Sequence, residues 1–461
     1  MVKLIKYTSK LLKVAYVISK YSILTDRDRF KAPAWLKIIG TISCLILYPK
    51  GLFAKPTSSF GQRLANAFQE LGPIYVKFGQ TLSTRPDLVG VDVAEGLRCL
   101  QDKLPPFSIN IVKDRIEKRF GQKVQEIFAE FEDIPVAAGS IAQVHKARLK
   151  SGELVAVKVL RPNIARKYEK DIRFLEYGAE IITCFLKKAK RLKPREVISV
   201  FRQSMQLELD LRSEAAAASR IYDGFIGDSS LYIPKVYWAL TAEDILTLEW
   251  IDGISIYDRD AITGRGLDPR DIAAKVAVIF FNQAYRDGFF HADLHPGNIL
   301  VRGDGSVALI DFGIIGILAE EDRLAIAEIL YAFLNRDYKL VAEVHYRVGY
   351  IPKETNLEYF AQSCRAIAEP IIGLAIKDIS IGNLLAQLFK VTKEYGMQTQ
   401  PQLVLLQKTM VVVEGIGQSL DQDINMWQLA EPWIKKWAAK NLSLEAKLLR
   451  AGKKFINELL K

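Results

Sequence analysis

The sequence predicts an α+β protein of two lobes, a small β-rich lobe followed by a larger, mainly helical one, with extra helices at the N-terminus. Three observations point there. Between 134 and 160, and again from Tyr232 to Trp250, apolar residues alternate or gather in short runs, as half-buried and buried strands require. From about 268 onward the periodicity is helical, interrupted by one short β patch at 299–312. Residues 60–130 precede the strands with helical spacing, broken at Gly72-Pro73 and at Pro105-Pro106, where glycine and proline punctuate helices.

Taken in order, the chain opens on a basic segment. Residues 1–25 hold Lys3, Lys6, Lys10, Lys13 and Lys20 and no acid. On a helix these lysines fall within an arc of roughly 100°, with Leu4, Ile5, Leu11, Leu12, Val14, Ala15 and Ile18 outside it. Two readings stand: a helix lying in a membrane interface, or one packed on its own domain. The C-terminal stretch is basic too, with Lys435, Lys436, Lys440, Lys447, Arg450, Lys453, Lys454 and Lys461. Neither end interleaves arginine with aromatics, so the net charge of +11 points to an anionic membrane surface and not to nucleic acid. The longest uncharged apolar run, Ile38 to Tyr48, has 11 residues, short of the about 20 that cross a bilayer. No secretory signal is present. Cys44, Cys99, Cys184 and Cys364 are too scattered for zinc and read as reduced thiols of a cytosolic protein. A hydrophobic share of 49% with 25% charged residues allows a core of normal size. Five regions are expected: a basic, hydrophobic segment 1–55, a helical extension 56–130, a β-rich lobe with inserted helices 131–252, a helical lobe 253–426, and a basic amphipathic tail 427–461.

Within the β-rich lobe, Ser151-Gly152 reads as the turn between a strand ending at Leu149 and another over Leu154 to Leu160. Residues 164–222 return to long helical periodicity.

The chemistry gathers further on. In His291-Ala292-Asp293-Leu294-His295-Pro296-Gly297-Asn298 an aspartate is followed five residues later by an asparagine. That matches the protein-kinase catalytic loop H-R-D-x-x-x-x-N, with Ala292 in place of arginine. Asp293 can accept or orient the proton of a nucleophile, and the Asn298 amide oxygen can hold a metal. Strands Ile299–Val301 and Val307–Ile310 flank an Asp304-Gly305 turn, and the hairpin returns Asp311-Phe312-Gly313 beside Asn298. A carboxylate and an amide oxygen with room for phosphate oxygens suit Mg²⁺. Upstream, Val155-Ala156-Val157-Lys158 matches the strand whose lysine holds the α- and β-phosphates of ATP. Val136, Ala137, Ala138, Gly139, Ser140, Ile141, Ala142, Gln143 and Val144 occupy the place of the nucleotide-covering loop, and small residues let backbone amides approach phosphate. The order of these parts is that of a bilobal protein-kinase-like fold.

These loops, with Lys77-Phe78-Gly79-Gln80 inside LGPIYVKFGQTLSTRPD, together with ELDLRSEA, FFHADLHPGN and PQLVLLQKT, resemble the UbiB family of atypical kinases from about 60 to 430. The resemblance implies a loop of small residues at 136–144 and a K-x-G-Q helix, with Lys77 and Gln80, folded over the site and excluding bulky protein substrates. It implies an E-x-D pair at Glu208 and Asp210, and Glu214 as partner of Lys158. Glu208, Asp210 and Glu214 then present carboxylates from one helix to Lys77 and Lys158. Three departures stand out. Gly139 replaces the usual alanine or serine, which predicts a more flexible loop. Ala292, usual in such relatives, removes the arginine that reads activation-loop phosphates. Many bacterial relatives end in membrane-spanning segments, and none follows here before Lys461, so peripheral contact with the bacterial inner membrane is expected from the amphipathic ends. The remaining histidines read as structural: His145 near the nucleotide loop, His295 in the catalytic loop, His345 on a helix.

The resemblance implies an ATP- and Mg²⁺-dependent phosphotransferase or ATPase that supports ubiquinone biosynthesis, acting on or gating lipid-quinone precursors. Two alternatives are a protein kinase acting on quinone-pathway enzymes and a nucleotide-gated, non-catalytic scaffold. A flavin-dependent hydroxylase is rejected, because the one G-x-G-x-x-[GA] match, Gly303 to Ala308, lies in the hairpin before Asp311 and not in a strand-to-helix turn.

Overall fold

The computed structural model describes residues 2–23, 58–83, 89–97, 99–100, 105–185, 194–372, 401–424 and 426–441, with single positions 384, 387–388, 391 and 394–396. The apolar run Ile38 to Tyr48, Cys44 and the last basic residues from 442 lie outside the described residues. Strands are β1 (Phe128–Phe131), β2 (Ala137–Ala138), β3 (Ala142–Leu149), β4 (Leu154–Leu160), β5 (Leu231–Tyr232), β6 (Ile245–Glu249), β7 (Ile254–Ser255), β8 (Phe289–His291), β9 (Ile299–Val301), β10 (Val307–Leu309) and β11 (Ile315–Ile317). The rest is mainly helical, and the α+β reading stands.

The chain divides into two compact units: Met1–Ser213 with Tyr237–Glu249, and Glu214–Val236 with Trp250–Lys461. The boundary therefore does not fall at 252/253. Helix Leu211–Gly224 straddles it, because Ala217, Ala218 and Ile221 enter the second unit's core while Leu211 N–H donates to Glu243 O in the first. The chain then adds β5 to the second unit's sheet before returning β6 to the first.

In the first unit the antiparallel order is β1-β3-β4-β6, with β2 paired on β3. The alternation of β3 and β4 is that of a half-buried sheet. Ala147, Leu149, Val155, Val157 and Val159 face a core with Val112, Ile116, Val124 and Phe128. Gly152, at φ 102°, makes the expected turn. A second apolar cluster joins Ala65, Val76, Leu82, Val93, Leu97 and Leu100 of the helical extension. Here Gly79 is required by close approach: a Cβ would lie 2.3 Å from Leu100 Cδ1 and 2.6 Å from Phe68 Cδ2.

Helix Val2–Lys20 packs on its own unit, through its basic side. Lys20 binds Glu70 at 2.7 Å, Lys10 pairs with Asp171, and Val17 is buried, while Leu12 and Tyr16 face outward.

The second unit holds the sheet β5-β10-β9-β7 and the pair β11-β8. Helix Pro269–Phe281 starts at an Asp268 cap and runs into a π turn, Asn282–Asp287, that ends on left-handed Gly288. Gly316 lies against Phe290 so closely that a Cβ would sit 2.1 Å from its ring. The only described helix long and apolar enough to cross a membrane, Gln402–Leu420, is 56% buried inside the fold and serves as a core helix through Leu406, Met410, Val413 and Ile416. The stretch expected to be a tail from 427 is, as far as 441, part of helix Met426–Asn441. It buries Ile434 and Trp437, and Trp433 Nε1 donates to Asn282 at 2.9 Å.

Candidate active site

In the first unit the β3–β4 register sets Val144 opposite Lys158, and Lys158 opposite Leu246 of β6. These three share the face turned away from the core. The small-residue loop folds back on β3, with Ala137 opposite Val144 and Ala138 opposite Gln143. Gly139 is fixed at both ends of its peptide: its N–H donates to Ala142 O at 2.8 Å and its carbonyl accepts from Arg161 Nε at 3.0 Å. The loop is thus tied down where glycine predicted flexibility. Arg161 Nη2 also donates to Pro105 O at 2.8 Å, so one guanidinium joins the loop to the segment leaving the helical extension. Ser140 is buried, and its hydroxyl has no hydrogen-bond partner among the described residues.

Gln143 is placed differently from the expectation. By strand parity its side chain falls on the core face, with His145. Its amide oxygen accepts from Phe107 N–H at 2.9 Å, and its amide nitrogen donates to Phe107 O at 3.2 Å and meets His145 Nε2 at 2.8 Å. It anchors the loop from the core face of the sheet. Burial lowers the His145 imidazole below its ordinary pKa, which keeps Nε2 an acceptor.

The K-x-G-Q and E-x-D segments divide their residues. Lys77 Nζ lies 2.9 Å from Glu208 Oε2, both side chains about one-eighth exposed (13% and 14%), and Phe78 packs edge-on to Phe201 with centroids 5.1 Å apart. Gln80 Nε2 donates to Leu100 O at 3.3 Å, inside the extension. Asp210 does not join Lys77. Its carboxylate accepts from Arg212 N–H at 3.1 Å and from the Arg212 guanidinium at 2.9 and 2.8 Å. That bond holds its pKa below the ordinary carboxylate value. The expected single helix is two, Pro194–Glu208 and Leu211–Gly224, because Asp210 bonds its own downstream backbone and caps the second.

In the second unit the chemistry sits on one stretch. The β9–β10 hairpin closes at Gly305 (φ 76°), where Asp304 accepts from Ser306 N–H at 2.9 Å. Its consequence is that Ile310 N–H donates to Asn298 O at 3.1 Å, which sets Asp311 next to Asn298. The Asn298 amide nitrogen donates to Asp293 O at 3.1 Å, leaving the amide oxygen at the other end of the group. Asp311 Oδ1 accepts from Gly313 N–H at 3.0 Å. Gly303 to Ala308 is the hairpin itself, so no dinucleotide fingerprint exists there. Glu214, buried, reaches the Phe312 N–H at 3.5 Å. His295 is exposed and its ring accepts from Gly297 N–H at 3.2 Å.

Three residues not singled out from the sequence support this stretch. His291 accepts from Asp293 N–H at 3.2 Å on Nδ1 and donates from Nε2 to Asp311 O. One buried ring thereby spaces the two aspartates, and burial keeps it below its ordinary pKa. Gln283, turned by the π segment, accepts from His291 N–H at 2.9 Å. Lys408 approaches Asp293 Oδ1 at 3.7 Å. Pairing of β8 with β11, Ile315 opposite His291, holds the arrangement. The H of the catalytic-loop motif was a signal for His291. Nothing in the sequence brought Lys408 to Asp293, 115 positions away.

The donor set fits Mg²⁺ carried on phosphate. Asn298 and Asp311 supply two hard oxygens, and among the described residues no group of three or more histidine, cysteine or acidic side chains could hold a metal by itself. Mg²⁺ ordinarily takes one or two protein ligands and leaves the rest to phosphate and water.

The fold and these loops define an atypical kinase-like protein. Residues 99–345 match the ABC1 atypical kinase-like domain and 364–425 the UbiB helical domain. A Marinobacter nauticus protein named "probable protein kinase UbiB" is 42% identical over 94% of this chain and 79% of its own length. A Pseudomonas paraeruginosa protein of the same name is 41% identical over 94% and 82%. The chain belongs to the UbiB family. A Mycobacterium tuberculosis protein, Rv3197, solved with erythromycin, shares the fold at TM-score 0.54 and 22% identity, over 77% of this chain and 90% of its own.

Proposed function

We propose that the chain binds ATP with magnesium and cleaves it, as a UbiB-type atypical kinase or ATPase supporting ubiquinone biosynthesis. One observation carries the reading: the hairpin bond from Ile310 N–H to Asn298 O, 3.1 Å, aligns a carboxylate and an amide oxygen immediately after a loop that bears Asp293. Lys158 would hold the α- and β-phosphates, and the unpartnered Ser140 hydroxyl would donate to a phosphate oxygen. Asn298 and Asp311 would hold magnesium, which neutralises charge on the phosphate oxygens when bound. Asp293 would take the acceptor's proton. Positioning and charge, not covalent chemistry, supply the rate.

The acceptor in this reading is water or a lipid-quinone precursor. The largely buried Lys77–Glu208 pair supports it, since it holds in place the K-x-G-Q segment that the resemblance ties to exclusion of bulky substrates. Contact with an anionic membrane belongs to the same proposal. Lys10 and Lys20 are paired within the first unit, so exposed Lys13, Lys436 and Lys440 are the cations proposed for it.

The test is magnesium-dependent ATP hydrolysis, with and without anionic liposomes. Asp311→Asn should lower kcat about 1000-fold; undiminished hydrolysis removes the mechanism. Label transferred from ATP to a quinone-pathway enzyme would favour the protein-kinase function in the relatives' printed name.

A further inference from the structure

The PQLVLLQKT segment carries a lysine that the roles above leave unused. Lys408 projects from helix Pro401–Leu420, whose Leu406, Met410 and Val413 are fixed in the second unit's core. Its ammonium lies 3.7 Å from Asp293 Oδ1, with 28% of the Lys408 and 39% of the Asp293 side chain exposed. An ion pair this long and this open contributes little to stability. At 3.7 Å it also leaves the ammonium's three donors free of a short bond to Asp293. Meanwhile the stretch 289–317 carries the carboxylates Asp293 and Asp311 and a single lysine or arginine, Arg302. Arg302 is engaged, with Asp304 at 2.8 Å and over the Tyr232 ring at 3.9 Å. Phosphoryl transfer gathers negative charge on the moving group, and that charge needs a cation.

We propose that Lys408 is the catalytic cation for the transferred γ-phosphoryl group, acting beside Asp293. The proposal rests on the ATP reading above. In the step, the acceptor oxygen bonds to Pγ as the bond from Pγ to the β–γ bridging oxygen breaks. The bridging electron pair leaves with ADP, and the acceptor's proton passes to Asp293. Lys408 balances the charge on the γ oxygens and undergoes no covalent change.

The experiment uses the full chain with Lys408→Gln and Lys408→Arg. It measures kcat and KM for ATP, and affinities for ADP and for the β,γ-imido analogue of ATP. Lys408→Gln should lower kcat about 100-fold, lose the wild type's preference for the triphosphate analogue over ADP, and raise KM for ATP by about that lost factor. Lys408→Arg should retain most of both. A Lys408→Gln protein with wild-type kcat and preference overturns the proposal. So does one that melts earlier but keeps its preference, since the pair would then only pin the helix. A wild type that neither binds nor cleaves ATP brings down the parent reading instead, and is told apart because no variant is needed to see it.

Discussion

In the first unit the candidate residues come from stretches far apart in the chain: Lys77, the loop 136–144, Lys158, Glu208. Strand register places the loop and Lys158, while side-chain bonds join the remaining stretches, Lys77 to Glu208 and Arg161 to both Gly139 and Pro105. In the second unit Asp293, Asn298 and Asp311 ride on one stretch, 289–317, held mainly by strand pairing and backbone bonds. Where the first arrangement depends on individual side chains, at Lys77, Glu208 and Arg161, it should fail one residue at a time. The second depends on register, so a distortion of its backbone should reach every residue in it together.

Four changes sharpen this contrast, from the largest effect down. Glu208→Gln removes one charge of the largely buried Lys77–Glu208 pair and should destabilise the chain by about 3 kcal/mol in denaturant unfolding. The double variant Lys77→Met, Glu208→Leu should recover most of it, since a well-packed apolar pair replaces buried charge at little cost. A double variant as unstable as the single one would show that the pair is not the cause.

His345 belongs to the second unit's core, its Nδ1 donating to Val341 O at 2.8 Å, and burial lowers its pKa from 6.5 to about 4. Between those values the unfolded chain binds more protons than the folded one. Stability therefore falls as pH drops through that window and levels off below it, by about 3 kcal/mol in all. Unfolding at a series of pH values should show a shallower slope for His345→Gln than for the wild type; equal slopes would refute the assignment.

Gly316→Ala forces a Cβ into Phe290 and should cost about 2 kcal/mol. It should also weaken magnesium-dependent ATP turnover, because β8 and β11 carry His291 between the two aspartates. Normal turnover with lowered stability would separate register from site. Asp210→Ala removes the cap of helix Leu211–Gly224 and should cost about 1 kcal/mol with ATP turnover kept. A turnover loss out of proportion to that stability cost would restore Asp210 to the site.

The same contrast explains what could be read from the sequence. Asp293, Asn298 and Asp311 were legible because a short hairpin converts sequence spacing into spatial spacing, and the Asp304-Gly305 turn announces the hairpin. Strands β3 and β4 were legible from alternation. Strands β8 and β11 were not, being three residues each within apolar runs that carry no period. Gln143 was read as facing nucleotide because it lies in the loop's run; only the β3 register decides which face a side chain takes. Glu208, Asp210 and Glu214 were read as carboxylates of one helix, yet Asp210 had a competing use in bonding its own backbone. Lys77–Glu208 was visible through family resemblance alone, and Lys408 beside Asp293 through neither, since packing between distant segments leaves no local pattern.

The most direct test of the proposed ATP-cleaving reaction is a double-variant cycle on kcat with Asp293→Asn, Asp311→Asn and the two combined. Residues that act on one transition state are far from additive. The combined variant should be little worse than the worse single one. Losses that multiply in full would contradict it.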